Sequence, residues 1–232
     1  MTQFAPSDLA AYPTFEDFFT RAHAPGSRPI HEQADPASAV VVADSRLVAY
    51  DTVTESKKLW IKGDRFSISN LVMDKALGTQ FADGPVASFR LSPQDYHRYH
   101  SPVTGVVKQY RAMPGDYYDV DPFALKSKVD ILTRNTRDYV VIGCEGFGDV
   151  LFVAIGATEV GSVRIHEQYQ QSGSPIRKGD ELGIFQYGGS SIIVAFEKGR
   201  MQFDEDLLRL SRNAIAVDVQ VGMSLGRATE DK

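Results

Sequence analysis

The chain has 232 residues, enough to bury a substantial core within a single domain. Its net charge of −5 excludes a general nucleic-acid binder, which would carry a basic face, and offers no broad attraction to anionic membranes. The single cysteine, Cys144, excludes an internal disulfide framework and a CxxC metal knuckle, and it fits a reducing compartment.

The first thirty residues hold neither a basic leader nor a continuous apolar run, so no signal peptide is expected. No stretch reaches the ~18 apolar residues that a membrane span needs. Thr14 is placed to cap a short helix bearing Phe15, Phe18 and Phe19, with Asp17 completing a capping box and Ala24-Pro25-Gly26 ending it. The polar segment 30–37 is the only candidate hinge. Apolar and β-branched runs predict strands at 40–42, 47–50 and 58–61, then a helix over 70–77 closed by Gly78. Further strands are predicted at 86–91, 106–112, 129–133, 139–144, 150–155, 160–165, 182–186 and 192–196. A last helix is predicted from Asp204, with Leu207, Leu208 and Ser211 on one face. Short strands separated by Gly and Pro predict a β-rich α+β domain over residues 1–232, mainly antiparallel, with few short helices. "GVVKQYRAMPGDYY" and "GSVRIHEQYQQSGSPIRKGDELG" echo one another as strand, loop, Gly-Asp and strand, in the manner of lipoyl-like β-hairpin halves.

Three stretches carry candidate chemistry. "VVVADSRLVAY" delivers Asp44 after four apolar residues, either as a turn residue or as a carboxylate in a partly dry place. "FRLSPQDYHRYHSPVTG" holds His97 and His100, two of only five histidines. These read as surface histidines on a turn, as one face of a short helix, or as two metal ligands lacking an obvious third; no metal is expected. "FQYGGSSIIVAF" interrupts an aromatic and β-branched strand pattern with Gly188-Gly189-Ser190-Ser191, where glycine weakens a strand. Asp44, a histidine and Ser190 form an acid–base–hydroxyl inventory. A strand, IIVAF, follows Ser190, so the strand–turn–helix elbow of a serine hydrolase is missing.

A serine hydroxyl can instead attack the carbonyl preceding it, turning the peptide into an ester. Gly189 allows the kink, and a histidine such as His100 oriented by Asp44 can take the hydroxyl proton. β-Elimination of that ester and hydrolysis of the resulting dehydroalanine would leave a pyruvoyl group at position 190. On this reading the strand is interrupted because the chain is to be cut there.

The chain resembles the phosphatidylserine decarboxylase family of pyruvoyl-dependent enzymes. The matching segments run in order from "FEDFFTRAHAPGSRPI" and "VVADSRL" through "FRLSPQDYHRYHSPVTGVV", "PGDYYDVDPFAL", "NTRDYVV" and "VAIGATEVGSV" to "KGDELGIFQYGGSSIIVAFE" and "VGMSLG". The resemblance implies cleavage between Gly189 and Ser190, giving a β chain 1–189 and an α chain 190–232 that begins with the pyruvoyl cofactor. It implies Asp44, His100 and Ser190 as the processing triad, although Ser45 stands where many relatives have glycine. It implies His97, as imidazolium, in proton transfer during decarboxylation. Gly156 and Gly161 would line the substrate pocket or serve tight strand packing. Homodimers of processed chains are expected by the same resemblance.

The expected substrate is phosphatidylserine, converted to phosphatidylethanolamine and CO2 by an enzyme peripheral to the cytoplasmic side of a membrane. The Asp-Tyr-His form of "SPQDYHRYHSPV" favours that reading. Phe4, Leu9, Tyr12, Phe15, Phe18 and Phe19 would form a shallow insertion edge, or else staple the N-terminus to the core. The alternative is a soluble cytoplasmic decarboxylase of a free amino acid, aromatic ones included, favoured by a chain that begins close to "FFTR". A further alternative is a non-catalytic β-sandwich that binds without cutting itself.

Overall fold

Strands buried on both faces need continuous apolar runs, and "SSIIVAF" and "DVLFVAIG" supply two. The computed structural model describes residues 1–59, 66–120, 129–158, 162–186, 188 and 190–229. β1 (Phe4–Ala5), α1 (Phe15–Phe19) and β2 (Ala22–His23) open the chain. β3 (Ser38–Val40), β4 (Ser45–Tyr50), α2 (Val53–Leu59), α3 (Ile68–Val72) and α4 (Lys75–Gln80) follow. Next come β5 (Val86–Leu91), β6 (Arg98–His100), β7 (Gly105–Met113), α5 (Ile131–Arg134), β8 (Arg137–Cys144), β9 (Gly148–Gly156) and β10 (Ser162–Ile165). β11 (Pro175–Ile176), β12 (Glu181–Gln186), β13 (Ser190–Phe196), β14 (Met201–Phe203), α6 (Glu205–Arg212), β15 (Val217–Val219) and β16 (Ser224–Ala228) complete the order.

An eight-stranded antiparallel sheet, β11-β7-β8-β9-β13-β5-β4-β15, forms the frame. β13 lies between β9 and β5, and all seven of its residues are buried. Two smaller sheets, β10-β12-β6 and β14-β16-β3, and the β1-β2 pair complete the β structure of the described residues. The β-rich α+β reading is borne out. The two Gly-Asp echoes end in different sheets, with β7 in the large one and β10 and β12 in a small one.

Four expectations change. Of the strand expected over 58–61, Lys58 and Leu59 instead end α2, which Thr52 caps by accepting from the Glu55 amide (3.1 Å), while Trp60 and Ile61 lie outside the described residues. The helix over 70–77 is two helices, because Met73 turns left-handed (φ 51°) and Asp74 starts α4 by accepting from the Leu77 amide. Gly78 lies within α4 rather than ending it, and a Cβ there would fall 2.2 Å from Ser69 Cα, so glycine permits α3 and α4 to touch. Residues 131–134 form the short helix α5 instead of a strand, its turn closed by Thr133 and Arg134 amides donating to Asp130 O. Finally, segment 30–37 is no hinge: the buried Lys178 ammonium donates to the carbonyls of Glu32, Asp35 and Ser38 and pins it.

The C-terminal part is woven into the rest. After residue 189, β13 enters between β9 and β5, β15 pairs with β4, β16 pairs with β3, and α6 covers β4. Leaving would expose a wholly buried strand and open four ladders at once. Pieces produced by a break between 189 and 190 are therefore expected to elute together from a sizing column in native buffer and to separate in denaturant. Separation in native buffer would contradict this topology.

Candidate active site

The interruption expected over Gly188-Gly189-Ser190-Ser191 marks a change of sheet, although Ser190 and Ser191 already belong to β13. β12 belongs to the small sheet with β6 and β10, whereas β13 enters the large one, and Gly188 makes the turn at φ 94°, a conformation that favours glycine. Tyr187 and Gly189 lie outside the described residues. Ser190, the first residue of β13, stands opposite Gly156 on β9 and Leu91 on β5. Its hydroxyl is fully buried and has no hydrogen-bond partner among the described residues. The next hydroxyl behaves differently, since Ser191 Oγ donates to Phe89 O at 3.1 Å. An unsatisfied buried hydroxyl costs about 1–3 kcal/mol, so its retention at this strand end points to chemistry.

Gly156 is also anchored on its outer side: its amide donates to Thr136 O and its carbonyl accepts from Asn135 Nδ2 at 2.8 Å. Asn135 is fully buried and holds Tyr118 through both its amide nitrogen and its oxygen, tying loop 116–118 to the strand beside Ser190. Gly161, the other expected pocket glycine, lies outside the described residues.

His100 ends the strand β6 and His97 immediately precedes that strand, so neither lies on a helix. Phe185 N donates to His97 O, and β6 pairs with β12 through Arg98, Tyr99 and His100. Side chains alternate along a strand, and the contacts follow: His97 and Tyr99 both meet Phe185, whereas His100 turns to Gly179 and Tyr96. Both rings bond a carbonyl through Nδ1, His97 to Asp95 O (2.9 Å) and His100 to Gly179 O (2.8 Å). A carbonyl only accepts, so each neutral ring carries its proton on Nδ1 and presents Nε2 as the basic nitrogen.

The two Nε2 atoms differ in their surroundings. His97 is fully buried against Phe19, 4.1 Å away between ring centres, and its Nε2 has no aligned partner among the described residues. Burial pushes its pKa down to about 4, outweighing the Asp95 and Gly188 backbone groups that favour a proton. The expected imidazolium is therefore corrected: at neutral pH His97 is neutral in this environment. His100 Nε2 accepts from Tyr96 Oη at 3.0 Å. Burial also lowers its pKa, opposed by the Gly179 carbonyl, Glu181 and Asp44.

Asp44 does not touch His100 as expected. Arg28 Nε donates to its Oδ1 (3.0 Å), Arg28 Nη2 to its Oδ2 (2.5 Å), and the Val221 amide to Oδ1 (2.9 Å). His23 Nε2 stands 3.2 Å from Oδ2, off the line of a well-formed hydrogen bond. Burial would raise the carboxyl pKa, but His23, Arg28 and the Val221 amide together hold it far below the usual carboxylate range. Tyr96 bridges the two halves of the cluster, its ring centre 3.8 Å from that of His23 and its hydroxyl on His100. Sequence reasoning missed His23, Arg28 and Tyr96, although all three stand inside the segments quoted above. The expected triad is thus replaced by a buried chain: Arg28 and His23 on Asp44, then Tyr96, then His100.

A β-rich fold with a buried, unbonded serine at a sheet crossing and two Nε2-basic histidines defines a class of site built around one hydroxyl. The sequence profile of the family described as phosphatidylserine decarboxylase matches residues 15–227. The chain is 43% identical over 225 residues to phosphatidylserine decarboxylase proenzyme 2 of Oryza sativa, covering 97% of this chain and 36% of that protein. It is 39% identical to proenzyme 2 of Komagataella phaffii, with 96% of this chain and 22% of that protein covered. It is 36% identical over 217 residues to the Fusobacterium nucleatum phosphatidylserine decarboxylase proenzyme, covering 93% of this chain and 70% of that protein. The chain belongs to the phosphatidylserine decarboxylase family. It spans about a third of the rice relative and about a fifth of the yeast one.

Two outcomes follow from this geometry. Ser190→Ala is expected to leave a single uncut chain on a denaturing gel, while Ser191→Ala still cuts and loses about 1 kcal/mol of stability with its buried bond. Cutting by the first variant would remove Ser190 from its place. The folded pKa of His97 lies below its unfolded value near ~6.5, so its contribution is present above that pH and lost as pH falls towards about 4. Asp138, raised to about 6 chiefly by burial, acts in the opposite sense over much of that window. The measurement is therefore a difference: urea denaturation of His97→Gln should lose less stability between pH 6.5 and 4 than the parent, by on the order of 2–3 kcal/mol. Parallel pH curves would contradict the buried neutral ring.

Proposed function

We propose that the chain cuts itself between Gly189 and Ser190 and acts as a pyruvoyl-dependent decarboxylase of phosphatidylserine. The observation that carries this reading is the buried, unbonded Ser190 hydroxyl at the start of a strand, beside a neighbour, Ser191, whose hydroxyl is engaged. In the cutting step Ser190 Oγ bonds to the carbonyl carbon of residue 189, the peptide C–N bond breaks, and the Oγ proton passes to a base while the freed nitrogen gains one. Loss of the residue 190 Cα proton then breaks its Cβ–Oγ bond, so residue 189 leaves as a carboxylate that keeps Oγ and residue 190 becomes dehydroalanine. Hydrolysis of the dehydroalanine releases ammonia and leaves a ketone at position 190.

We take His100 as the base. Burial lowers the proton affinity of both rings, but at His100 the carboxylates of Glu181 and Asp44 oppose it with negative charge, whereas at His97 only backbone groups do. A pyruvoyl ketone at position 190 would supply the carbonyl that captures the substrate amine and accepts electrons as CO2 departs. Gly156, opposite residue 190, leaves room on the neighbouring strand for a substrate to approach. His97 presents its Nε2 beside Gly188; a carboxylate entering that pocket would raise its pKa and let it carry a proton to the substrate Cα.

The N-terminal aromatic residues divide their tasks. Phe4 and Phe19 are buried, whereas Leu9 and Phe15 are 60% and 61% exposed. Because Phe19 on the same short helix as Phe15 packs on His97, this edge links the site to the outside. It supports a peripheral membrane position in which Leu9 and Phe15 enter the lipid surface while the helix covers the site. Among the described residues no helix is long and apolar enough to cross a membrane.

CO2 release from phosphatidylserine vesicles should exceed release from free serine, tryptophan and tyrosine by at least about tenfold, as lipid contacts add binding beyond the amine and carboxylate. Turnover of one free amino acid with none on vesicles would overturn the lipid reading. His97→Ala is expected to cut itself and to lose about 10²–10⁴-fold in decarboxylation, the span of one acid–base group. A variant that decarboxylates at the parent rate would remove His97 from the chemistry.

A further inference from the structure

Four side chains from four separate segments, His23, Asp44, Tyr96 and Glu181, surround His100, and one of them faces its basic nitrogen directly. Nδ1 is committed to Gly179 O, which stands on a turn at φ 85° and is fixed further by the Gly179 amide donating to Ser101 O. Nε2 is met by the Tyr96 hydroxyl at 3.0 Å. With its proton on Nδ1, the ring accepts at Nε2, so the phenol donates. Tyr96 is 3% exposed, and its ring is held by His23 at 3.8 Å and by the small cluster of Phe4 and Val221.

We infer that Tyr96 is a positioning residue for His100, holding the Nε2 lone pair in one orientation and restraining its protonation until the cutting step. The inference rests on His100 as the base of the proposed self-cleavage. A donor to Nε2 stabilises the neutral ring, so it works against the groups that favour a charged one. Those groups come from each packed element: Glu181 on β12 and Asp44 after β3 attract a proton, while His23 on β2 repels one. Arg98 on β6 holds Glu181 through both carboxylate oxygens, and Arg28 holds Asp44, so neither acid is free to replace Tyr96 at Nε2. Burial keeps the phenol protonated, its pKa pushed above the ordinary value to beyond the physiological range. His97 lacks such a partner at Nε2, which separates the two histidines in role as well as in place.

The test is the pH dependence of self-cleavage in freshly translated chains, followed by denaturing gel. Tyr96→Phe keeps the ring packing and removes the donor. Its acidic limb should move to higher pH by roughly half to one unit, and its plateau rate should fall roughly fivefold. A loss of packing alone would lower stability without moving the limb, so an unchanged limb and plateau overturn the inference. His100→Gln separates this from failure of the underlying reading. If it stays uncut while Tyr96→Phe matches the parent, only the Tyr96 role falls; if it cuts at the parent rate, His100 is not the base and both fall. Should Tyr96→Phe fail to fold, nitrogen-15 spectroscopy of the uncut Ser190→Ala chain answers the question. A neutral His100 with its proton on Nδ1 and a hydrogen-bonded Nε2 supports the inference, and a proton on Nε2 overturns it.

Discussion

The structure depends on the register with which β13 enters the large sheet. Leaving the small sheet through Gly188 at positive φ, the chain sets Ser190 against Gly156 and Leu91 at the first rung of a wholly buried strand. A shift of one residue would exchange the faces and put the Ser191 hydroxyl, now bonded to Phe89 O, in its place. The ladders to β9 and β5 fix that register along the strand. They hold one hydroxyl unpaired in a dry environment, where a hydrogen bond would otherwise be demanded.

The same crossing organises the histidines. β6 pairs with β12, the strand that leads into the turn, so backbone hydrogen bonds carry His97 beside Gly188 and hold His100 at Gly179. Strand alternation sends His97 into an apolar pocket with Phe19 and Phe185 and sends His100 to a polar cluster. Identical side chains three residues apart thereby meet different partners. The acid Asp44 anchors the far side of that cluster, where Arg28 and a backbone amide keep it ionised.

Much of this was legible in the sequence. Long apolar runs marked β5, β8, β9 and β13, and the glycine pair in a β-branched run marked the one place where strand logic fails. Thr14 with Asp17 formed the capping box expected of them. What the sequence hid were features set by tertiary contact. The split of α3 from α4 depends on a left-handed Met73, a conformation that methionine does not advertise. The linkage of Asp44 to Arg28 and His23 rather than His100 depends on where β1 and β2 fold back, which no spacing among residues 23, 28, 44, 96 and 100 encodes. Short edge strands such as β14 and β15 carry too few residues for their periodicity to stand out.

One measurement bears most directly on the claim that this hydroxyl severs its own backbone: mass spectrometry of the active protein under denaturing conditions. The account predicts two pieces meeting between residues 189 and 190, the smaller beginning with a ketone that borohydride reduces to a hydroxyl. An unbroken peptide spanning both residues, with an ordinary serine at 190, would contradict it.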